Sequence, residues 1–276
     1  MFYAEGTVAP YRYRCGSSAL IVSMPHAGTF VPPSIGRTLA DCAAQRSDTD
    51  WHLPRLYDFL GALDATVIAA NYSRYVVDVN RPPDGANLYP GRDTPRLCPV
   101  DTFDRRPLYR SGEPSAAEVE RRVATVWKPY HRRLAREIER VRAAHRVAIV
   151  WDAHSIVSVC PRLFDGQLAD FNLGTADGTT CDPVLSSELV AALRRHASRT
   201  AVLDGRFKGG YITRRYGDPG AGVHAIQLEM AQARYMDETP PYTFRESLAA
   251  PLRSILREQL EIAARWAVNR ARGSGV

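Results

Sequence analysis

The chain alternates between short, largely apolar runs and longer stretches of helical period. Residues 19–23 (ALIVS), 147–151 (VAIVW) and 223–228 (VHAIQL) are runs of strand length bounded by turn-forming residues, and they predict buried strands. Residues 66–69 (TVIA) and 75–79 (YVVDV) read as strands on β-branched content. Trp51, Leu53, Leu56 and Leu60 recur at helical spacing after Ser47-Asp48-Thr49-Asp50, where a serine with an acid three residues on marks a helix start. Further helices are predicted over 118–144, 184–196 and 243–271. Residues 80–114, 160–182 and 205–222 are rich in Gly, Pro and Asp and show no period. Loops of that length are generally functional. Strands alternating with helices predict one α/β domain over residues 1–276, with a mostly parallel sheet covered by helices on both faces.

Composition narrows the function classes. A net charge of +6 attracts either nucleic acid or small anions. The densest basic segment, Arg121 to Arg142, is interleaved with Glu118, Glu120, Glu137 and Glu139, which is the pattern of a solvated helix face. With no basic tail and no zinc-finger spacing, a small anionic substrate is favoured over nucleic acid. Cys15, Cys42, Cys98, Cys160 and Cys181 are odd in number and lack C-x-x-C spacing, so neither a disulfide framework nor a cysteine zinc site is expected. Residues 1–14 carry no apolar signal core, and no apolar stretch is long enough to cross a bilayer. The cytoplasm is the expected location. Oligomeric state is left open.

Catalytic residue types gather where the predicted strands end. His26 follows the first strand, Asp152-Ala153-His154 follows the fourth, and Glu229 closes the last. Ligands of open α/β sheets bind beyond the carboxyl ends of the strands, so these residues can converge. Two histidines and a carboxylate suffice for a catalytic metal site with one position left for water. His26 and His154 are the candidate histidines. The acid is Asp50 or Asp48, with Asp50 favoured as a ligand and Asp48 as a helix cap. Asp152 is placed to orient a ligating histidine. Glu229 is the candidate general base; its plainer reading is a salt bridge to one of many arginines. Arg81, directly after Asn80, and then Arg214 are the arginines expected to grip a substrate carboxylate, with Arg92 and Arg215 as further loop arginines. Arg81 is also the catalytic candidate for stabilising the oxyanion together with the metal. His131, His145 and His196 fall on helices and read as exposed. There is no G-x-S-x-G elbow, Walker loop or H-E-x-x-H.

Six segments, in order, resemble the N-formylglutamate deformylases: Pro25-His26-Ala27-Gly28, Asp48-Thr49-Asp50-Trp51-His52, Val77-Asp78-Val79-Asn80-Arg81-Pro82-Pro83, Asp152-Ala153-His154-Ser155, Lys208-Gly209-Gly210-Tyr211-Ile212-Thr213-Arg214 and Gln227-Leu228-Glu229-Met230. The resemblance implies a mixed sheet flanked by helices, similar to zinc carboxypeptidases. It implies one zinc ion, or another divalent ion, on His26, Asp50 and His154. It also implies an Asn80-Arg81 clamp for the substrate carboxylate, Glu229 as base, and release of formate from N-formyl-L-glutamate in histidine degradation. Two departures stand out: His26 and Asp50 are widely separated where zinc carboxypeptidases space the first pair closely, and Arg215 stands where histidine is expected. Rival readings are an amidohydrolase for another N-acyl amino acid or a peptidoglycan amide, a ureohydrolase suggested by Asp152-Ala153-His154, and a basic binding protein that kept the fold without activity.

Overall fold

In the computed structural model, which describes residues 8–89, 91, 93–196 and 199–273, seven strands form a sheet in the order β1-β3-β2-β4-β7-β5-β6. The strands are β1 (Tyr11–Arg14), β2 (Leu20–Met24), β3 (Thr66–Ala70), β4 (Ala148–Ile156), β5 (Phe171–Gly174), β6 (Ala201–Leu203) and β7 (Val223–Ala231). β1 runs antiparallel to β3, and β5 antiparallel to β7; every other neighbouring pair is parallel. The sheet is therefore mixed and mostly parallel.

Every residue of β2, β4 and β7 is buried, as a central strand covered on both faces requires. On one face α4 (Lys128–His145) sends the Tyr130 hydroxyl to Ser23 Oγ at 2.9 Å. On the other face Trp151 Nε1 donates to the hydroxyl of Tyr57 at 3.2 Å, just after α2 (Leu53–Leu56). Helices α5 (Pro183–Arg194) and α7 (Glu246–Gly273) pack on each other, and α7 also reaches β4 and β2. The shorter helices are α1 (Pro33–Gly36), α3 (Ala116–Arg122) and α6 (Tyr211–Tyr216). A second, small apolar cluster of Ile156, Cys160, Leu163 and Leu168, flanked by Phe103 and Phe207, lies beside the ends of β4 and β7. Among the described residues no helix is long and apolar enough to cross a membrane.

Several expectations change. Residues 75–79 are not a strand: the Val76 amide bonds Ser73 O at 2.9 Å and the Asp78 amide bonds Leu97 O at 2.7 Å. Tertiary contacts of buried Asp78 override the β-branched preference there. The helix expected from Trp51 is short because His52 sits at φ 61°, in the left-handed region. Strand β5 and helix α6 arise inside segments predicted as loops, and β1 was not anticipated. The helix over 118–144 is interrupted by a π-helical turn, Val123–Trp127. Its basic face is not wholly solvated: Arg122 is buried, bonding Glu118, Val76 O and the Tyr109 hydroxyl, and Glu137 is buried between Arg133 and Arg140. His131 is likewise buried, stacked on Trp127 and bonded through Nε2 to Val79 O at 2.7 Å.

The register between β4 and β7 positions the chemistry. Asp152 pairs with Gln227 and His154 with Glu229. Because side chains alternate along a strand, these four polar groups share one face at the carboxyl end of the sheet.

Candidate active site

His26 lies in the turn after β2. That turn needs glycine at position 28, where a Cβ would stand 2.2 Å from Tyr72 O. The Asp50 amide donates to His26 O at 3.1 Å, tying together two segments that are distant in sequence. Asp50 Oδ2 then lies 3.0 Å from His154 Nδ1 and 3.7 Å from His26 Nδ1, and the two imidazole rings are 4.8 Å apart. All three side chains are buried, and one donor atom from each lies within 4.8 Å of the others, so the group can hold a metal ion. Asp48 is not part of it. Its carboxylate accepts from Phe103 N at 2.9 Å and Ser47 Oγ at 2.9 Å, and it caps no helix.

Each imidazole is held from behind by a carboxylate. His26 Nε2 lies 2.6 Å from Asp78 Oδ1, and His154 Nε2 lies 3.1 Å from Asp152 Oδ2. An ionised carboxylate only accepts, so His26 Nε2 carries a proton toward Asp78 and its Nδ1 faces Asp50. His154 Nε2 is shared between Asp152 and Asn80 Nδ2, 2.9 Å away, and its Nδ1 also faces Asp50. Burial and the nearby Arg74 push His26 down, keeping it neutral as a ligand must be. Burial alone would also depress His154, but Asp152 and Asp50 outweigh it and lift it well above the ordinary value. The protein thus favours a positive charge at the point where the Nδ1 atoms and Asp50 meet. Together with the two nitrogens and one oxygen on offer, this donor set fits a divalent cation such as zinc.

Asp78 is fully buried. Although burial opposes its charge, His26 and Arg74 hold its carboxyl well below the usual range. Its Oδ2 accepts from Arg74 Nη2 at 2.7 Å. Asn80 knits the shell together: Nδ2 lies 3.0 Å from Asp152 Oδ2, and Oδ1 accepts from Ile212 N at 2.8 Å. Gly210 packs so closely here that a Cβ would come 2.5 Å from Asn80 Nδ2.

The triad opens into a cavity also lined by Asn80, Arg81, Arg74, Arg206, Tyr89, Phe207, Gln227 and Glu229. Burial raises Glu229 to about 8, with Asp50 adding to the rise and His154 opposing it. Gln227 Nε2 donates to Glu229 Oε2 at 3.3 Å, while its Oε1 accepts from Gly210 N at 2.7 Å. Arg81 is only 17% exposed; its Nε makes no hydrogen bond and stands 3.9 Å from Asp78 Oδ2.

The family model described as N-formylglutamate amidohydrolase matches residues 18–236. The chain belongs to that family. Two curated relatives agree with the assignment. An N-formylglutamate deformylase of Pseudomonas aeruginosa is 51% identical, with the alignment covering 92% of this chain and 96% of the relative. One of Pseudomonas putida is 47% identical at the same coverages. Among solved structures, an N-formylglutamate amidohydrolase from Ralstonia eutropha superimposes with a TM-score of 0.79 at 26% identity, over 96% of this chain and all of that one. A gene product of Agrobacterium tumefaciens shares the fold, with a TM-score of 0.70 at 19% identity over 99% of each chain.

In this amidohydrolase-family chain, His26, Asp50, His154, Asp152, Asn80, Arg81 and Glu229 gather at one site. Arg214 stands outside the cavity lining: its Nε donates to Gly209 O at 3.0 Å and its guanidinium lies 5.3 Å from the Tyr89 ring centroid. Arg215 is exposed beside Tyr216. Arg92 lies outside the described residues. Sequence reasoning missed Asp78, Arg74, Gln227 and Arg206. Gln227 was findable, because it stands two residues before Glu229 on the same strand face.

Proposed function

We propose that this chain hydrolyses N-formyl-L-glutamate to formate and L-glutamate, with one divalent metal ion, zinc by its donor set, held by His26, Asp50 and His154. The observation that carries the reading is the meeting of these three buried donors beside Glu229 in a cavity that also contains the half-buried Arg81. A bound divalent ion would supply Lewis acidity to a carbonyl oxygen and make water a better nucleophile at neutral pH. Arg81 takes a substrate carboxylate, since a half-buried guanidinium with an unbonded Nε–H is ready for a charged acceptor. Asn80 frames the same wall while its amide holds Asp152 and Ile212 in place.

Glu229 carries the proton. It accepts one from water as oxygen adds to the formyl carbon, and it delivers that proton to the amide nitrogen as the C–N bond breaks. A carboxyl raised to about 8 is matched to both halves of that transfer near neutral pH. Gln227 fixes the orientation of the carboxylate. Ser155 stands where a ureohydrolase needs a further aspartate, and its Oγ is bonded to the Tyr235 hydroxyl at 2.7 Å, which disfavours that rival. All five cysteines are free thiols, which suits a reducing compartment such as the cytoplasm.

The test is formate release from N-formyl-L-glutamate by the purified protein, with N-formyl-L-aspartate and N-acetyl-L-glutamate as controls and metal content measured in parallel. Preferred release from N-formyl-L-glutamate by protein carrying one zinc per chain supports the proposal. A preference for the acetyl compound would move the chain to another N-acyl amino acid, and metal-free protein without hydrolysis would leave only a binding role.

A further inference from the structure

N-formyl-L-glutamate carries two carboxylates, and the cavity lining described here contains three guanidinium groups: Arg74, Arg81 and Arg206. Arg74 is committed within the protein, with Nη2 on Asp78 Oδ2 at 2.7 Å and Nη1 on Asp48 O at 3.4 Å. Arg81 stands beside Asp78, the residue that holds His26, and so lies near the reacting end of the cavity. Arg206 sits among different neighbours. Its Nε donates to Leu163 O, and its guanidinium carbon lies 5.3 Å from the Phe207 ring centroid and 5.9 Å from that of Tyr89. Leu163, Phe207 and Tyr89 all line the cavity.

Resting on the activity proposed above, we infer that Arg206 is the specificity-determining residue that receives the side-chain carboxylate of the substrate. The α-carboxylate is attached to the carbon that bears the scissile amide, so it falls to Arg81, close to the histidines. The γ-carboxylate is two methylenes further out, and its partner belongs on a different wall. Flanking aromatic faces steady a guanidinium by cation–π attraction, and anchoring one of its five donors to a backbone carbonyl presets its orientation. Arg214 is not the second cation, because it does not line the cavity.

The experiment compares kcat/KM for N-formyl-L-glutamate with that for N-formyl-L-glutamine, its neutral isostere, in zinc-loaded wild-type, Arg206→Met and Arg206→Gln proteins. The wild type prefers the acid. Each variant loses about 10- to 100-fold on the acid, the worth of a charge-assisted hydrogen bond, and changes little on the amide, so the preference collapses. The Gln variant retains a donor for Leu163 O and decides the matter if the Met variant does not fold. An unchanged ratio of acid to amide in a folded variant overturns the inference. So does an equal loss on both substrates, which is what a purely structural role produces. A wild-type protein that releases no formate from either compound sinks the activity itself, and this role with it.

Discussion

Replacing Asp78 with asparagine isolates the charge behind the metal site, because the shape is conserved. In the native protein Oδ1 accepts from His26 Nε2 at 2.6 Å and from Asn80 N at 2.8 Å, while Oδ2 accepts from Arg74 Nη2 at 2.7 Å. An amide keeps the Oδ1 acceptor but sets an NH2 group against the Arg74 guanidinium, whose side chain is only 8% exposed. Breaking a buried pair from one side costs about 3–5 kcal/mol, and the conserved shape argues for the lower end. For a chain of this size about 3 kcal/mol corresponds to roughly 6–12 °C in the melting temperature of the metal-free protein. The loss of a carboxylate behind a ligating histidine should weaken zinc binding by about 10- to 100-fold. Thermal unfolding in chelator reads the first effect, and competition with a chromogenic chelator reads the second. Adding Arg74→Met removes the orphaned charge, so the double variant should regain most of the stability without regaining zinc affinity. An Asp78→Asn protein that melts with the wild type and holds zinc equally well would refute the reasoning, since the buried charge would then contribute nothing.

Three further outcomes follow from the same geometry. Glu229→Gln should lower kcat by about 10²- to 10⁴-fold and leave zinc content at the wild-type level; undiminished turnover removes Glu229 from the reaction. Stripping the metal with a chelator should abolish formate release and lower the melting temperature, and added zinc should restore both; chelated protein that still turns over would dismiss the metal. Burial depresses His131 to about 4, below the ordinary 6.5, so between those values the unfolded chain binds a proton that the folded chain refuses. Stability should therefore fall as pH drops from about 6.5 toward 4, by about 3 kcal/mol from this residue at the bottom. His131→Asn should flatten that slope in melts across the range, and an unchanged slope would contradict it.

The central strands were legible because their patterns have one physical meaning. Residues 19–23, 147–151 and 223–228 are too short and too apolar to be anything but covered strands once turns bound them. Their ends were not legible. β4 runs on through Asp152 and His154 to Ile156, and β7 runs on through Glu229 to Ala231. An apolar-run criterion stops at the first charged residue, yet backbone pairing continues wherever the polar side chains find partners. The opposite error occurred at residues 75–79, where β-branched composition imitates a strand and the buried Asp78 instead organises turns. His131 looked exposed because an Arg-rich helix surrounds it in sequence. Its stacking on Trp127 is a contact one helical turn away, but its bond to Val79 O comes from a segment that local pattern cannot see.

The candidate site was legible as a set of residue types and illegible as a balance of charge. His26, His154 and Glu229 could be picked out because each stands at the end of an apolar strand or in a turn beside one, where a buried polar group needs a reason, and Asp50 because it opens the helix expected from Trp51. What sequence could not supply was the layer behind them. Asp78 and Asp152 are buried carboxylates, each tolerable only beside a group that donates to it: His26 and Arg74 for Asp78, His154 and Asn80 for Asp152. Arg74 and His154 stand four and two residues from the carboxylates they support, but His26 and Asn80 come from distant segments, so those two pairings exist only after the sheet has formed. The same layer fixes which nitrogen of each imidazole faces Asp50. The specificity of the centre for a cation therefore depends as much on residues that would never touch the ion as on the three that would.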